Sequence, residues 1–123
     1  MGFDWYISLT MHVDPSTGLP YVWGPGFERL PYKPEDYCVP EQYRQFLYMR
    51  GHLFHQYTRA VEEIDEVFEC DPSRILEHWP CWKSIKDKEE FKYYDWTEEQ
   101  HNLLKEALKW FSSMLQFKVS WSY

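Results

Sequence analysis

Glycine is scarce in this chain, with five in 123 residues. A loop that cradles phosphate through backbone amides needs several glycines close together. The one cluster, Gly24-Pro25-Gly26, is too short, and Pro25 has no amide proton to donate. Cysteine is scarce as well. Cys38, Cys70 and Cys81 make an odd count at low density, which argues against a secreted disulfide scaffold. No stretch approaches the roughly 18 apolar residues of a membrane-spanning helix, so no membrane insertion is expected. No basic segment followed by an apolar run opens the sequence, so no secretory signal is expected. Gly2 invites a check for myristoylation, but Tyr6 stands where that motif requires Ser or Thr. Positive charge is also short: 13 Lys and Arg against 20 Asp and Glu give a net charge of -7. Such a balance repels phosphate backbones and disfavours broad nucleic-acid binding. Lys83, Lys86 and Lys88 lie close together, but acidic residues interrupt and follow them, as in a solvated loop. The expected setting is the reducing interior of a cell, or a particle assembled there.

Catalytic signatures are missing too. There is no Gly-x-Ser-x-Gly elbow and no His-Glu-x-x-His helix. The paired Glu-x-x-His motifs of a carboxylate-bridged iron site do not appear either. His52 and His55 are three apart and can share a helix face, with Glu62 two turns further on, but a second ligand pair does not accompany them. The chain is therefore not expected to be an enzyme.

Aromatic residues are abundant instead. They make up 20% of the chain, with seven Trp and ten Tyr. Each buried ring removes on the order of 150–250 Å² from water, so a few can stabilise a small core. A surplus can serve an interface.

The patterning points to an α+β fold. Phe3, Trp5, Ile7, Leu9, Met11 and Val13 alternate with polar residues, as in a strand with one buried and one wet face. Asp14-Pro15-Ser16-Thr17-Gly18 reads as a hairpin loop, Leu19 to Trp23 as the returning strand, and Gly24-Pro25-Gly26 as its end. Residues 27–40, punctuated by Pro31, Pro34 and Pro40, read as a packed extended connector. Apolar positions spaced by threes and fours then predict one long helix over 41–69, with Arg50-Gly51 as a kink, a close contact or a break. Its acidic residues Glu62, Glu63, Asp65, Glu66 and Glu69 read as a solvated face. Asp71-Pro72-Ser73 opens a short helix to about Trp79. Residues 80–95 have no clear period. Thr97-Glu98-Glu99-Gln100 is a capping box for a last helix with a stripe from Leu103 to Leu115. Phe117, Val119, Trp121 and Tyr123 alternate as a final strand. The expected architecture over 1–123 is a single α+β domain. An N-terminal β-hairpin and a C-terminal strand form a small antiparallel or mixed sheet, covered by two amphipathic helices. The final strand either pairs with the first or adds to the sheet of a neighbouring molecule.

Two constellations stand out. Cys70, His78 and Cys81 have ligand types suited to zinc, with Cys38 as a possible fourth, although paired ligands at both ends are lacking. Ordinary buried cysteines are the plain alternative, with no cofactor. Trp79, Trp82, Tyr93, Tyr94 and Trp96 cluster in the poorly patterned region. They either seal it onto the helices or form a recognition surface, which Trp121 and Tyr123 would extend.

Met1-Gly2-Phe3-Asp4-Trp5-Tyr6-Ile7 resembles the opening of a group of short, uncharacterised proteins of large eukaryotic DNA viruses. These begin Met-Gly-Cys-Asp-Tyr-Tyr-Ile and run through hairpin strands into helices. Gly2, Asp4, Tyr6 and Ile7 match, while Phe3 replaces Cys and removes a reactive or metal-binding thiol. The resemblance implies a viral origin, with a place in the virion or host cytoplasm. The expectation is thus a non-enzymatic structural or protein-interaction protein, a minor component of a viral particle. It would have protein partners or self-associate. The alternative is a small metal- or ligand-binding regulatory module built on Cys70, His78, Cys81 and the neighbouring tryptophans.

Overall fold

The first strand, β1 (Asp4–Leu9), lies at the heart of the molecule. A computed structural model describes residues 2–23, 27–114 and 117–123. Trp5 and Ile7 point to one side of β1 and are buried, with Phe3 just before it, while Tyr6 and Ser8 face solvent. The final strand (Phe117–Ser122), β7 in chain order, runs antiparallel beside it and sets Trp5 opposite Trp121, Ile7 opposite Val119 and Leu9 opposite Phe117. The pairing is within one molecule. With β5 (Tyr48–Arg50) and β6 (Glu69–Cys70) these strands form a four-stranded antiparallel sheet, ordered β5-β1-β7-β6. β7 has a partner on each side, with the short β6 covering Val119 and Ser120.

The first strand does not run through to residue 13. After Leu9 the chain leaves the main sheet. β2 (His12–Val13), β3 (Pro20–Trp23) and β4 (Arg29–Pro31) make a separate three-stranded antiparallel sheet. Met11 and Val13 keep the alternation but face solvent. The hairpin loop forms as expected. Gly18 takes a positive φ of 71°, and Asp14 accepts hydrogen bonds from the Ser16 amide and hydroxyl. Gly24-Pro25-Gly26 lies outside the described residues.

The long helix over 41–69 does not exist as one element. Residues 41–46 form a 3-10 helix, β5 follows, a second short 3-10 turn spans 52–54, and the α-helix α1 covers only His55–Asp65. Gly51 explains the break. Its φ is 149°, and a Cβ there would meet the Tyr94 ring at 3.1 Å. Its amide bonds the Phe3 carbonyl at 2.9 Å, which fixes β5 against the start of the chain. α1 ends at Glu66, whose left-handed backbone (φ 56°) returns an amide to the Glu62 carbonyl.

α2 (Pro72–Glu77) stops two residues short of Trp79. The unpatterned segment holds two short helices, α3 (Trp82–Ile85) and α4 (Glu89–Tyr93). α5 (Glu98–Ser113) begins as its sequence dictates. The Thr97 hydroxyl accepts from the Gln100 amide at 3.2 Å, and the Gln100 side chain accepts from the Thr97 amide at 2.9 Å. Leu104, Ala107, Leu108 and Phe111 bury its inner face against Trp5, Val119 and Phe117, while Leu115 lies outside the described residues. α1, α2 and α5 thus cover the odd face of β1. Among the described residues no helix is long and apolar enough to cross a membrane.

Candidate functional site

Three regions carry the chemistry. The first is the aromatic cluster flagged by the sequence. Trp79, Trp82 and Trp96 are half-buried and packed on the core, so they seal the 80–95 segment down. Their centre is His101 on α5, which is 3% exposed. The Trp79 indole N–H donates to His101 Nε2 at 3.1 Å, and His101 Nδ1 lies 2.8 Å from the Tyr57 hydroxyl. An indole nitrogen can only donate, so Nε2 must accept and the imidazole proton sits on Nδ1. The Tyr57 oxygen therefore accepts twice, from Nδ1–H and from the Trp96 indole at 3.1 Å. Tyr57 also stacks on Trp79, with ring centroids 4.7 Å apart. Burial, with Lys105 nearby, pushes the His101 pKa below its ordinary value. Burial pushes the Tyr57 hydroxyl up. Both groups are held neutral, which suits a structural network. Tyr93 and Tyr94 differ from the tryptophans. Tyr93 is 79% exposed and packs edge-on against Tyr94, whose ring covers Gly51. Trp121, expected on a recognition surface, is instead a core residue opposite Trp5. Its position on the inward side of a central strand removes it from contact with partners. Tyr123 stays half-exposed.

Cys70, His78 and Cys81 lie at the ends of different elements. Cys70 is half-buried at the end of β6, His78 caps α2, and Cys81 and Cys38 are exposed, all with free thiols. Burial pushes the Cys70 thiol up to about 12, with Asp71 and Asp65 adding to the effect, which opposes the thiolate a metal needs. Among the described residues no group of three His, Cys, Asp or Glu side chains is placed to hold a metal ion.

The second region is the three-stranded sheet, of which the sequence pattern shows only the hairpin. None of its side chains belongs to the main core; Val22 is buried but outside it. The register puts His12, Tyr21, Trp23 and Arg29 on one face. Tyr21 and Trp23 meet at 89°, His12 stacks on Tyr21 at 5.4 Å, and the Arg29 guanidinium lies 4.7 Å above the Tyr21 ring. Around this sheet Val13, Leu19 (65% exposed) and Phe27 (87% exposed) stand in solvent. Phe27 also holds a left-handed backbone at φ 61°, a conformation that disfavours bulky residues. Alternation in the sequence identifies the strands but carries no signal for which face is left uncovered.

The third region is a groove of about 530 Å³ beside α1. At its foot the Tyr123 hydroxyl donates to Glu62, with both carboxylate oxygens at 2.6 Å. His55 Nε2 lies 2.7 Å from the same hydroxyl and 3.1 Å from Glu62 Oε2. With the Tyr123 O–H directed at the carboxylate, a proton on His55 Nε2 completes the contact. Burial, and then the Glu62 hydrogen bond and charge, push the Tyr123 hydroxyl well up, so it remains a donor rather than a phenolate. Phe68 stands perpendicular to Tyr123, with centroids 6.3 Å apart. Glu62, read as part of a solvated face, is therefore half-buried, and only Glu63, Asp65, Glu66 and Glu69 face out. His55 and Glu62 were visible seven residues apart in the sequence; Tyr123, from the far end of the chain, was not.

No protein-family model, curated protein or solved structure matches this chain.

Proposed function

We propose that the chain is a non-enzymatic structural or protein-interaction protein that presents its three-stranded sheet to a protein partner. The observation that carries this reading is the exposure of large apolar side chains on a sheet that contributes nothing to the main core. Val13, Leu19 and Phe27 are in solvent there, and Phe27 has a left-handed backbone. Apolar surface grouped in this way marks an interaction site. Tyr93 and Tyr94 offer a second, smaller aromatic patch. The burial that keeps the Cys70 thiol protonated favours this reading over a metal module at Cys70, His78 and Cys81. The likeness of Gly2, Asp4, Tyr6 and Ile7 to the opening of the viral proteins supports a finer proposal. The chain serves as a minor component of a viral particle, in the virion or host cytoplasm.

The test is sedimentation and hydrophobic-dye binding on the isolated chain. The chain is expected to self-associate or bind dye, and Leu19→Ser with Phe27→Ser should abolish both without changing the unfolding midpoint. A compact monomer at high concentration that binds no dye counts against the proposal. So does dye binding that survives the double substitution.

A further inference from the structure

We propose that the groove beside α1 receives a lysine side chain of a protein partner, its ammonium held between the Glu62 carboxylate and the Phe68 and Tyr123 rings. The groove shares no residue with the three-stranded sheet, so the proposal stands independently of that surface.

The argument starts with Glu62. Its carboxylate is 17% exposed and is held by Tyr123 O–H and His55 Nε2–H. Among the described residues no lysine or arginine pairs with it. Arg59, the one strong base lining the groove, gives its Nε to Glu63 at 3.0 Å. Glu66 adds a further carboxylate at the rim. Three carboxylates line the groove against one guanidinium, and its central acid is oriented by the Tyr123 hydroxyl and the His55 ring. Phe68 and Tyr123, perpendicular to each other, line the same groove, and a cation is attracted to aromatic ring faces.

The same geometry selects ammonium over guanidinium. A guanidinium binds a carboxylate best through both oxygens at once. Both Glu62 oxygens already lie 2.6 Å from the Tyr123 hydroxyl, and Oε2 also meets His55. No open carboxylate edge is left for a planar fork. A compact ammonium needs only a remaining lone pair, and its long apolar stem can lie along the exposed Phe68 ring.

The probe is an acetylated, amidated lysine octapeptide, titrated into the full chain at low salt. Ring-proton resonances of Phe68 and Tyr123 report the site, and an arginine octapeptide is the comparator. We expect both rings to shift with the lysine peptide. Glu62→Gln, Glu66→Gln and Phe68→Ala should each weaken binding about two- to fivefold. Glu99→Gln on α5, which does not line the groove, should leave binding unchanged. Circular dichroism checks the fold of each variant. Should Glu62→Gln unfold, the exposed Glu66 and Phe68 variants decide alone. Absence of ring shifts overturns the proposal. Equal weakening by Glu99→Gln reduces the binding to diffuse charge and overturns it as well. Equal or tighter binding of the arginine peptide at the same rings overturns the assignment to lysine.

Discussion

His101 cannot take a second proton without setting an N–H against the Trp79 indole N–H at 3.1 Å. Burial and Lys105 add to that cost, so its pKa in the folded chain lies below the ordinary 6.5. The unfolded chain therefore binds this proton more readily than the folded one. The contribution of His101 to stability is complete above pH 6.5 and is lost as pH falls through the depressed folded value. Asp14 and Asp65 act with the same sign at lower pH. A hydrogen bond from Ser16 and one from Arg74 hold their carboxyls below the usual 3.8, so their losses begin only there. Urea unfolding at successive pH values should thus show a decline beginning near neutrality in the parent protein, and a flatter profile in His101→Gln. Superimposable slopes would remove His101 as the cause. Its partner gives a test independent of pH. Tyr57→Phe deletes the oxygen that accepts from both His101 and Trp96, leaving two donors unpaired in a largely dry site. A loss of about 1–3 kcal/mol is expected by chemical denaturation. A loss under about 0.5 kcal/mol would mean that both donors find water instead.

Elements were legible in the sequence where their cause is local. The capping box at Thr97 and Gln100 fixes the start of α5 through contacts three residues apart, so the motif and the helix coincide. The turn at Asp14–Gly18 is equally self-contained. The stretch over 41–69 misleads because apolar spacing of threes and fours is satisfied by Tyr43, Phe46, Leu53 and Phe54 in two 3-10 turns flanking a strand. What overrides the helical period is tertiary. Tyr48–Arg50 pairs with the open edge of β1, and Gly51 turns the chain where the Tyr94 ring leaves no room for a side chain. The same logic hid the second sheet: Met11 and Val13 alternate like Trp5 and Ile7, and only their exposure in the folded chain distinguishes the two runs. Gly51 can be tested directly. Gly51→Ala forces a Cβ to 3.1 Å from Tyr94 at a φ of 149°, so it should destabilise by roughly 1–3 kcal/mol in thermal or urea unfolding. An unchanged midpoint would show that the Tyr94 ring yields freely and that the turn is not what breaks the helix.

At the scale of the molecule, the two ends of the described chain are neighbours in the sheet, and both the core and the groove depend on that. Phe117, Val119 and Trp121 from β7 pack with Trp5 and Ile7 from β1 and with Leu104, Leu108 and Phe111 from α5. Tyr123 reaches His55 across 68 residues of sequence and Glu62 across 61. No local pattern announces such a meeting, and so the groove could not be found from spacing while its two helical members could. The dependence also makes β7 the element whose loss is least local. β7 joins β1 to β6, so its removal separates two strands as well as exposing three buried side chains. Burying a large apolar side chain contributes about 1.5–3 kcal/mol, and three together reach the total stability of an ordinary small domain, about 5–15 kcal/mol. A chain ending at Leu115 should accordingly lose its near-ultraviolet circular dichroism and its cooperative unfolding transition. A full-length chain carrying Leu19→Ser, altered only on the separate three-stranded sheet, should keep both. If the shortened chain retains a cooperative transition, the helices hold the core without the final strand, and the pairing of Trp5 with Trp121 is an addition to the fold rather than its foundation.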